Sequence, residues 1–252
     1  MSTTPVFLVL PELLAQAEAG ATVTVTGSEA HHAVKVRRLA ADAEVDLVDG
    51  AGRRASGVVV GSGSGDELIV SVRSVVDEPA PTPSLTVVQA LAKGDRCERA
   101  VEMVTEIGVD SIVPWSAERS VAVWRGDKVG RGLGRWRAVA AAAAKQSRRA
   151  RIPHIDDLTD TAGVCRLLAE VDRGLVLHEA ADQALPGAVG LGARSVVLVV
   201  GPEGGITPAE LVRFADAGAT PVRLGDSVLR TSTAGVAAAA VVLAESGRWA
   251  PR

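Results

Sequence analysis

The stretch Asp77-Glu78-Pro79-Ala80-Pro81-Thr82-Pro83 constrains this chain more than any other. Prolines at alternate positions fix φ and remove backbone donors, so the segment continues neither a helix nor a central strand and reads as an extended linker. The hydrophobic rhythm changes across it. Before it, Thr22-Val23-Thr24-Val25-Thr26 and Glu44-Val45-Asp46-Leu47-Val48 alternate with period two, and Gly57-Val58-Val59-Val60 and Leu68-Ile69-Val70-Ser71-Val72 follow. These are the short half-buried strands of a small β-barrel. Ser28 is placed to N-cap a helix running through His31, His32, Val34, Val36 and Leu39, with Lys35, Arg37 and Arg38 near its end, where cations suit the helix dipole.

After the linker, strands and helices alternate. Leu85 to Ala90 is a strand, Asp95 caps a helix through Val101, Val104 and Ile107 that stops at Gly108, and Ser111 to Trp115 is the next strand. Helices follow over about 133–148 and 162–171, with strands at 174–177, 195–200 and 220–224. Their unbroken apolar runs suit a parallel sheet buried on both faces. Thr207-Pro208-Ala209-Glu210 is a capping box with proline at the first helical position. A last helix begins near Ser232 or Thr233 and runs to Ser246. The expected organisation is a β-barrel domain over 1–76, a linker over 77–83 and an α/β domain over 84–252.

Composition narrows the function classes. With 252 residues, 47% hydrophobic and 23% charged, the chain can bury a full core. Val6 to Leu10 is too short for a membrane span, lacks a cationic flank and meets Pro11, so no signal peptide or span is expected and a cytoplasmic location follows by default. Cys97 and Cys165 have no CxxC spacing and read as reduced structural thiols. Scattered histidines give no metal motif. Although the formal net charge is −3, residues 81–151 hold 13 Lys/Arg against 7 Asp/Glu. Arg131, Arg135, Arg137, Lys145, Arg148, Arg149 and Arg151 cluster around one helix, either as a phosphate-binding surface or as a solvated face. The chain has no Tyr, 2 Phe and 4 Trp. A base-stacking platform is therefore missing, and any grip on nucleic acid rests on shape and phosphates.

Two glycine-containing turns carry the chemistry: Gly201-Pro202-Glu203-Gly204-Gly205 and Leu224-Gly225-Asp226-Ser227-Val228-Leu229-Arg230-Thr231-Ser232-Thr233-Ala234. Each follows an apolar strand and opens a helix. Side by side at the carboxyl edge of a parallel sheet, they expose backbone N–H and C=O groups where small ligands bind. Neither has the GxGxxG or GK[ST] spacing of a dinucleotide fold or P-loop. A hydrolase built on Ser227, His178 and Asp226 lacks a GxSxG elbow.

These turns resemble the C-terminal signature of the SPOUT methyltransferases that modify small-subunit ribosomal RNA at N3 of a uridine, the RsmE family. Further matches span nearly the whole chain: His31-His32 with Val36-Arg37, Lys93-Gly94-Asp95-Arg96 with Thr105-Glu106-Ile107-Gly108-Val109, Ser116-Ala117-Glu118-Arg119-Ser120, and Gln146-Ser147-Arg148-Arg149 with Ile152-Pro153. The resemblance implies a PUA-like N-terminal barrel and a C-terminal α/β domain with a deep trefoil knot, a homodimer, and S-adenosyl-L-methionine as cofactor, with no metal. The cofactor would be held by His178 and Glu179, by Val199, Val200, Gly201, Pro202, Glu203, Gly204 and Gly205, and by Leu224, Gly225, Val228, Leu229, Ser232, Thr233 and Ala234. Its implied substrate is 16S ribosomal RNA or the small ribosomal subunit. Alternatives are a SPOUT methylase of another RNA position and a non-catalytic RNA-binding assembly factor. The chain departs from the family in having Ser232 where glutamate is common and Lys145 where an acid is common.

Loss of the N3 proton leaves negative charge on O2 and O4 of the uracil, which a cation must stabilise. Arg230 is the first candidate for that role and Arg119 the second. Glu203 either assists proton removal or merely accepts backbone N–H bonds. Lys35, Arg37, Arg38, Lys93, Arg119, Lys145, Arg148 and Arg149 are the expected RNA contacts, and the target base must be exposed or flipped to react.

Overall fold

The computed structural model describes residues 4–62, 67–190 and 192–250. The chain divides into two compact units: residues up to Ala80 together with Ala144–Ile152, and Pro81–Ala143 together with the chain from Pro153 onward.

In the first unit, β1 (Val6–Leu8), α1 (Pro11–Leu14), β2 (Thr22–Val25), α2 (Gly27–His31), β3 (Glu44–Val48), β4 (Arg53–Ser62) and β5 (Leu68–Asp77) follow one another. The sheet order is β1-β3-β4-β5-β2, with β1 parallel to β3 and the other pairs antiparallel. No pairing joins β1 to β2 among the described residues, so the expected barrel is an open, mixed half-barrel. The period-two alternation does what it predicts: Val23, Val25, Val45, Leu47, Leu68, Val70 and Val72 are buried in one core.

The helix between β2 and β3 departs from expectation. Gly27, at φ +77°, turns the chain one residue before Ser28, so Ser28 lies inside the first turn and caps nothing. After His31 the coil widens into a π-helical turn, His32–Val36, in which the Arg37 N–H reaches back five residues to the His32 carbonyl at 2.8 Å. Arg38, at φ +52°, ends it, and Leu39 lies beyond. This turn projects Lys35, Val36, Arg37 and Arg38 outward, with Val36 62% exposed.

Segment Ala144–Ile152 completes this unit. Ala150 is buried against Val6 and Val48. Arg54 donates from Nη2 to the Arg148 carbonyl at 2.9 Å, and Ile152 N–H to the Gly50 carbonyl at 2.9 Å. Gly52 adopts φ +115°, a conformation that L side chains rarely take, and the Arg151 guanidinium lies where a Cβ would point.

The second unit holds β6 (Ser84–Ala90), α3 (Arg96–Ile107), β7 (Ser111–Trp115), α4 (Asp127–Gln146, whose residues from Ala144 belong to the first unit), β8 (His154–Ile155), α5 (Thr161–Ala169), β9 (Arg173–Leu177), β10 (Ser195–Val200), α6 (Pro208–Asp216), β11 (Ala219–Val222) and α7 (Thr231–Glu245). All strands are parallel in the order β11-β9-β10-β6-β7-β8. The unbroken apolar runs occupy the centre: Leu85, Val87 and Val88 of β6 and Val196 to Val200 of β10 are buried.

The capping box forms as its sequence requires, with the Thr207 side chain accepting the Glu210 N–H and the Glu210 carboxylate accepting the Thr207 N–H. Asp95 precedes α3 but makes no cap bond, because its carboxylate pairs with Arg99 at 2.8 Å instead. The longest helix starts six residues earlier than expected. Gly130, Gly132 and Gly134 disguise its first turns as loop, yet Gly132 is where the Trp124 ring lies: a Cβ there would sit 2.7 Å from it. Trp124 in turn meets Trp136 edge to face at 5.4 Å. Arg230, not Ser232 or Thr233, holds the N-cap position of α7, and no side chain caps that helix. No helix among the described residues is long and apolar enough to cross a membrane.

Candidate functional site

In this parallel sheet the strand order reverses around β9, β10 and β6, and a crevice opens beyond their carboxyl ends. There a cavity of about 490 Å³ is walled by the segments that follow β9, β10 and β11, together with Arg96 at the start of α3. That volume is in the range of small-molecule sites.

The segment after β10 is the most firmly held. Pro202 and Ile206 are buried and the Gly205 N–H closes the turn onto the Pro202 carbonyl at 2.9 Å. A Cβ on Gly201 would stand 2.8 Å from Ile206 Cγ1, and one on Gly204 would stand 2.9 Å from Arg119 Cβ and 3.0 Å from the Arg119 carbonyl oxygen. Glycine is thus required for packing at both positions. Arg119 Nη1 donates to the Gly204 carbonyl at 3.3 Å.

Glu203 is fixed by two donors. Its Oε1 accepts the Lys93 N–H at 3.1 Å and Arg96 Nη1 at 2.7 Å. Burial alone would raise the pKa of this carboxyl, but the backbone N–H groups of Glu203 and Lys93 and the Arg96 guanidinium outweigh it and hold the group below its usual range. It is an anchor whose Oε1 is engaged by two donors, and the direction of its shift favours the carboxylate over the protonated acid.

A buried polar relay ties the walls together. Gln89, 1% exposed on β6, donates from Nε2 to Thr231 Oγ1 at 2.9 Å, and that hydroxyl donates to the Gly201 carbonyl at 2.8 Å. One strand end, one glycine turn and the first residue of α7 are locked together by these two bonds. Gln89 Oε1 is buried with no hydrogen-bond partner.

On the remaining side, His178 N–H bonds to the Val222 carbonyl at 3.0 Å, and its Nδ1 accepts the Ala180 N–H at 3.2 Å, which leaves the proton on Nε2 in the neutral ring. The segment 223–230 is largely exposed, with Arg230 on the cavity wall.

Of the residues expected to hold a cofactor, His178, Val200, Gly201, Pro202, Glu203, Gly204, Gly205, Leu224, Gly225, Val228, Leu229 and Ala234 converge on this cavity. Val199 is wholly buried behind it, Ser232 is buried in the first turn of α7, and Thr233 is exposed, none of them on the wall. Sequence reasoning left Arg96 and Gln89 out of the site and gave Thr231 no role beyond its place in the second turn. A lone amide inside the apolar run Leu85 to Ala90 is the signal for Gln89, since a buried polar side chain needs a specific partner.

Among the expected RNA contacts, Lys35, Arg37 and Arg38 project from the π-helical turn, and Arg148 is exposed. Lys93 and Arg119 are exposed in the second unit. Lys145 is ion-paired to Glu29 at 2.8 Å, so the cation at this position has an acid of its own. Cys97 is buried, accepts the Ala92 N–H at 3.0 Å, and burial pushes its thiol up to about 11, as fits an inert structural cysteine. Among the described residues no cluster suits a metal ion.

The RNA methyltransferase domain model matches residues 78–243, and the RNA methyltransferase PUA domain model matches residues 25–72. The ribosomal RNA small subunit methyltransferase E of Mycobacterium bovis is 47% identical over 236 residues, covering 92% of this chain and 90% of its own. That of Bacillus subtilis is 29% identical over 228 residues, covering 87% and 88%. A crystal structure of a ribosomal RNA small subunit methyltransferase E from Neisseria gonorrhoeae bound to S-adenosyl methionine has the same fold, with a TM-score of 0.82 over 97% of this chain and 98% of that one at 24% identity. With a family model covering well over half its length and a close relative aligned almost end to end, the chain belongs to the ribosomal RNA small subunit methyltransferase E family.

Proposed function

We propose that this chain methylates N3 of a uridine in small-subunit ribosomal RNA, using S-adenosylmethionine. The observation that carries the reading is the cavity itself, where two glycine turns, His178, Arg96 and Arg230 meet at the carboxyl edge of a parallel sheet.

The residues present fit the cofactor. Gly205 and Gly225 leave open space on the cavity wall, since a Cβ at either would meet nothing within 4 Å. Val200, Ile206, Val222 and Leu224 supply apolar surface for an adenine, and backbone groups of the two turns can read its edge. Glu179 brings negative charge to a site for a cationic sulfonium, while the charge of Glu203 is matched by Arg96. When bound, S-adenosylmethionine supplies an electrophilic methyl group whose sulfur leaves as a neutral thioether.

The chain's own part is orientation and charge. Arg230, at the N-cap of α7, holds the target uracil and faces the charge that develops on its carbonyl oxygens. The Gln89–Thr231–Gly201 relay ties the first glycine turn to the first residue of α7 and so fixes one wall against which cofactor and base would be oriented. Ser232, buried in the first turn of α7, packs there without touching the cavity. Lys35, Arg37, Arg38, Arg148 and Arg149 of the first unit, and Lys93 and Arg119 of the second, grip phosphates, while Lys145 keeps its pairing with Glu29. The working form is a cytoplasmic homodimer with the C-terminal segment threaded as a trefoil knot, the PUA-like part spanning residues 1–76 and the catalytic part 84–252.

The test is transfer of labelled methyl from S-adenosylmethionine to small-subunit RNA from cells lacking this modification, mapped by nucleoside mass spectrometry. Appearance of 3-methyluridine at one position is expected. A methyl mark elsewhere refutes the uridine-N3 assignment, and calorimetric absence of cofactor binding by folded protein refutes an enzymatic role in favour of an assembly factor.

A further inference from the structure

The rigid wall of the cavity carries a cation that the proposed reading leaves without a defined task. Arg96 is the first residue of α3, lines the cavity, and donates through Nη1 to Glu203 at 2.7 Å. A guanidinium has five N–H donors, and this bond uses one of them. The side chain is 42% exposed, so it is not sealed into the fold. Its neighbours on the site differ from it. Arg223 pairs at 3.7 Å with Asp226, a carboxylate that is 97% exposed, and Arg230 stands on the same exposed segment, 223–230. Arg96 alone of the three is aimed by a carboxylate that is itself pinned, through the Lys93 N–H, to the loop leading into the same helix.

Resting on the uridine-N3 reading, we propose that Arg96 is a catalytic residue whose guanidinium meets the negative charge left on a uracil carbonyl oxygen, and that Glu203 is the positioning residue that aims it. The N3–H proton passes to solvent water, its electron pair stays on the ring and spreads onto O2 and O4, and Arg96 stabilises that anion until N3 bonds to the methyl carbon as the carbon–sulfur bond breaks and its electron pair leaves with the neutral thioether. A donor held in place before the charge develops costs no reorganisation when the reaction occurs. Placement at the first turn of a twelve-residue helix adds the positive end of its dipole on the same side. Glu203, already engaged by two donors, acts through Arg96 and takes no proton itself.

The experiment compares wild type, Arg96→Gln, Glu203→Gln and the double variant in single-turnover methylation across pH, with calorimetric S-adenosylmethionine binding on each. Arg96→Gln is expected to slow transfer at neutral pH by roughly a hundred-fold, to leave cofactor affinity within about three-fold, and to move the rise of rate to higher pH. Glu203→Gln is expected to slow it by about ten-fold alone and to add nothing in the Arg96→Gln background, as a residue acting through another must. If Arg96→Gln does not fold, Arg96→Lys keeps the cation but not the fork, and a loss of about ten-fold with the same pH displacement is expected. An active wild type with Arg96 variants that keep its rate and pH profile overturns this inference alone, as does full additivity in the double variant. A wild type that binds cofactor yet makes no 3-methyluridine overturns the underlying reading and the inference with it.

Discussion

The two glycine turns look alike in sequence and are built in opposite ways. The turn at Gly201 is anchored at nearly every residue: Gly201 by Thr231, Pro202 and Ile206 by burial, Glu203 by Lys93 and Arg96, and Gly204 by Arg119. The turn from Leu224 to Arg230 is mostly exposed, with Val228 at 80% and Leu229 at 38%, and its ion pair, Arg223 with Asp226, spans 3.7 Å across exposed side chains. A wall fixed by several hydrogen bonds and two buried side chains defines a shape before any ligand arrives. One with few buried contacts lies at the low-stability end of the structure, from which segments that close on ligands are drawn. The site therefore pairs a preformed face, which carries Arg96, with an adaptable one, which carries Arg223 and Arg230.

The largest effect is expected on the adaptable face. Arg230→Ala should lower methyl transfer by roughly a hundred- to a thousand-fold, the usual cost of one aligned donor to a developing anion. Because its side chain is exposed and caps nothing, folding should be untouched and calorimetric cofactor affinity nearly so. Parallel loss of thermal stability would mean that the exposed turn is structural after all. Alanine at the two turns separates them next. Gly204→Ala forces a Cβ to 2.9 Å from Arg119 Cβ and 3.0 Å from its carbonyl, so chemical denaturation should show a loss of roughly 1–3 kcal/mol from overpacking. Gly225→Ala meets nothing within 4 Å, and its stability should stay within about 0.5 kcal/mol of wild type. Equal losses at both positions would erase the distinction between the faces.

What was legible in the sequence follows the same divide. Strands with strong period, the capping box at Thr207 and both glycine turns could be located because local chemistry dictates them. The π-helical turn after His31 could not, since nothing in His32-Ala33-Val34-Lys35-Val36 encodes a five-residue repeat, and the start of α4 was hidden by glycines whose purpose, room for Trp124, is tertiary. The membership of Ala144–Ile152 in the first unit was equally silent: it depends on Ala150 reaching Val6 and Val48 from far along the chain. At the site, motif matching supplied the glycines and Arg230. It passed over Gln89 and left Arg96 unassigned, because their importance lies in bonds to residues more than a hundred positions away.

The smallest effect is one of acid stability. Glu203 has its pKa depressed in the folded protein, so its contribution to stability is complete above the unfolded value, near 4.5, and is lost as pH falls through the lower folded value. Glu203→Gln does not titrate there. The difference in unfolding free energy between wild type and this variant should therefore be constant at neutral pH and shrink toward zero below about pH 4.5. Asp172, also depressed, chiefly by the Arg194 N–H, is common to both proteins and cancels from the difference. Asp226→Asn supplies the contrast at neutral pH: with that carboxylate 97% exposed and its cation at 3.7 Å, the variant's stability should equal that of wild type within about 0.5 kcal/mol. A gap for Glu203→Gln that persists unchanged into acid would mean that its anchoring is steric, and that Arg96 and the Lys93 N–H hold the turn without needing its charge.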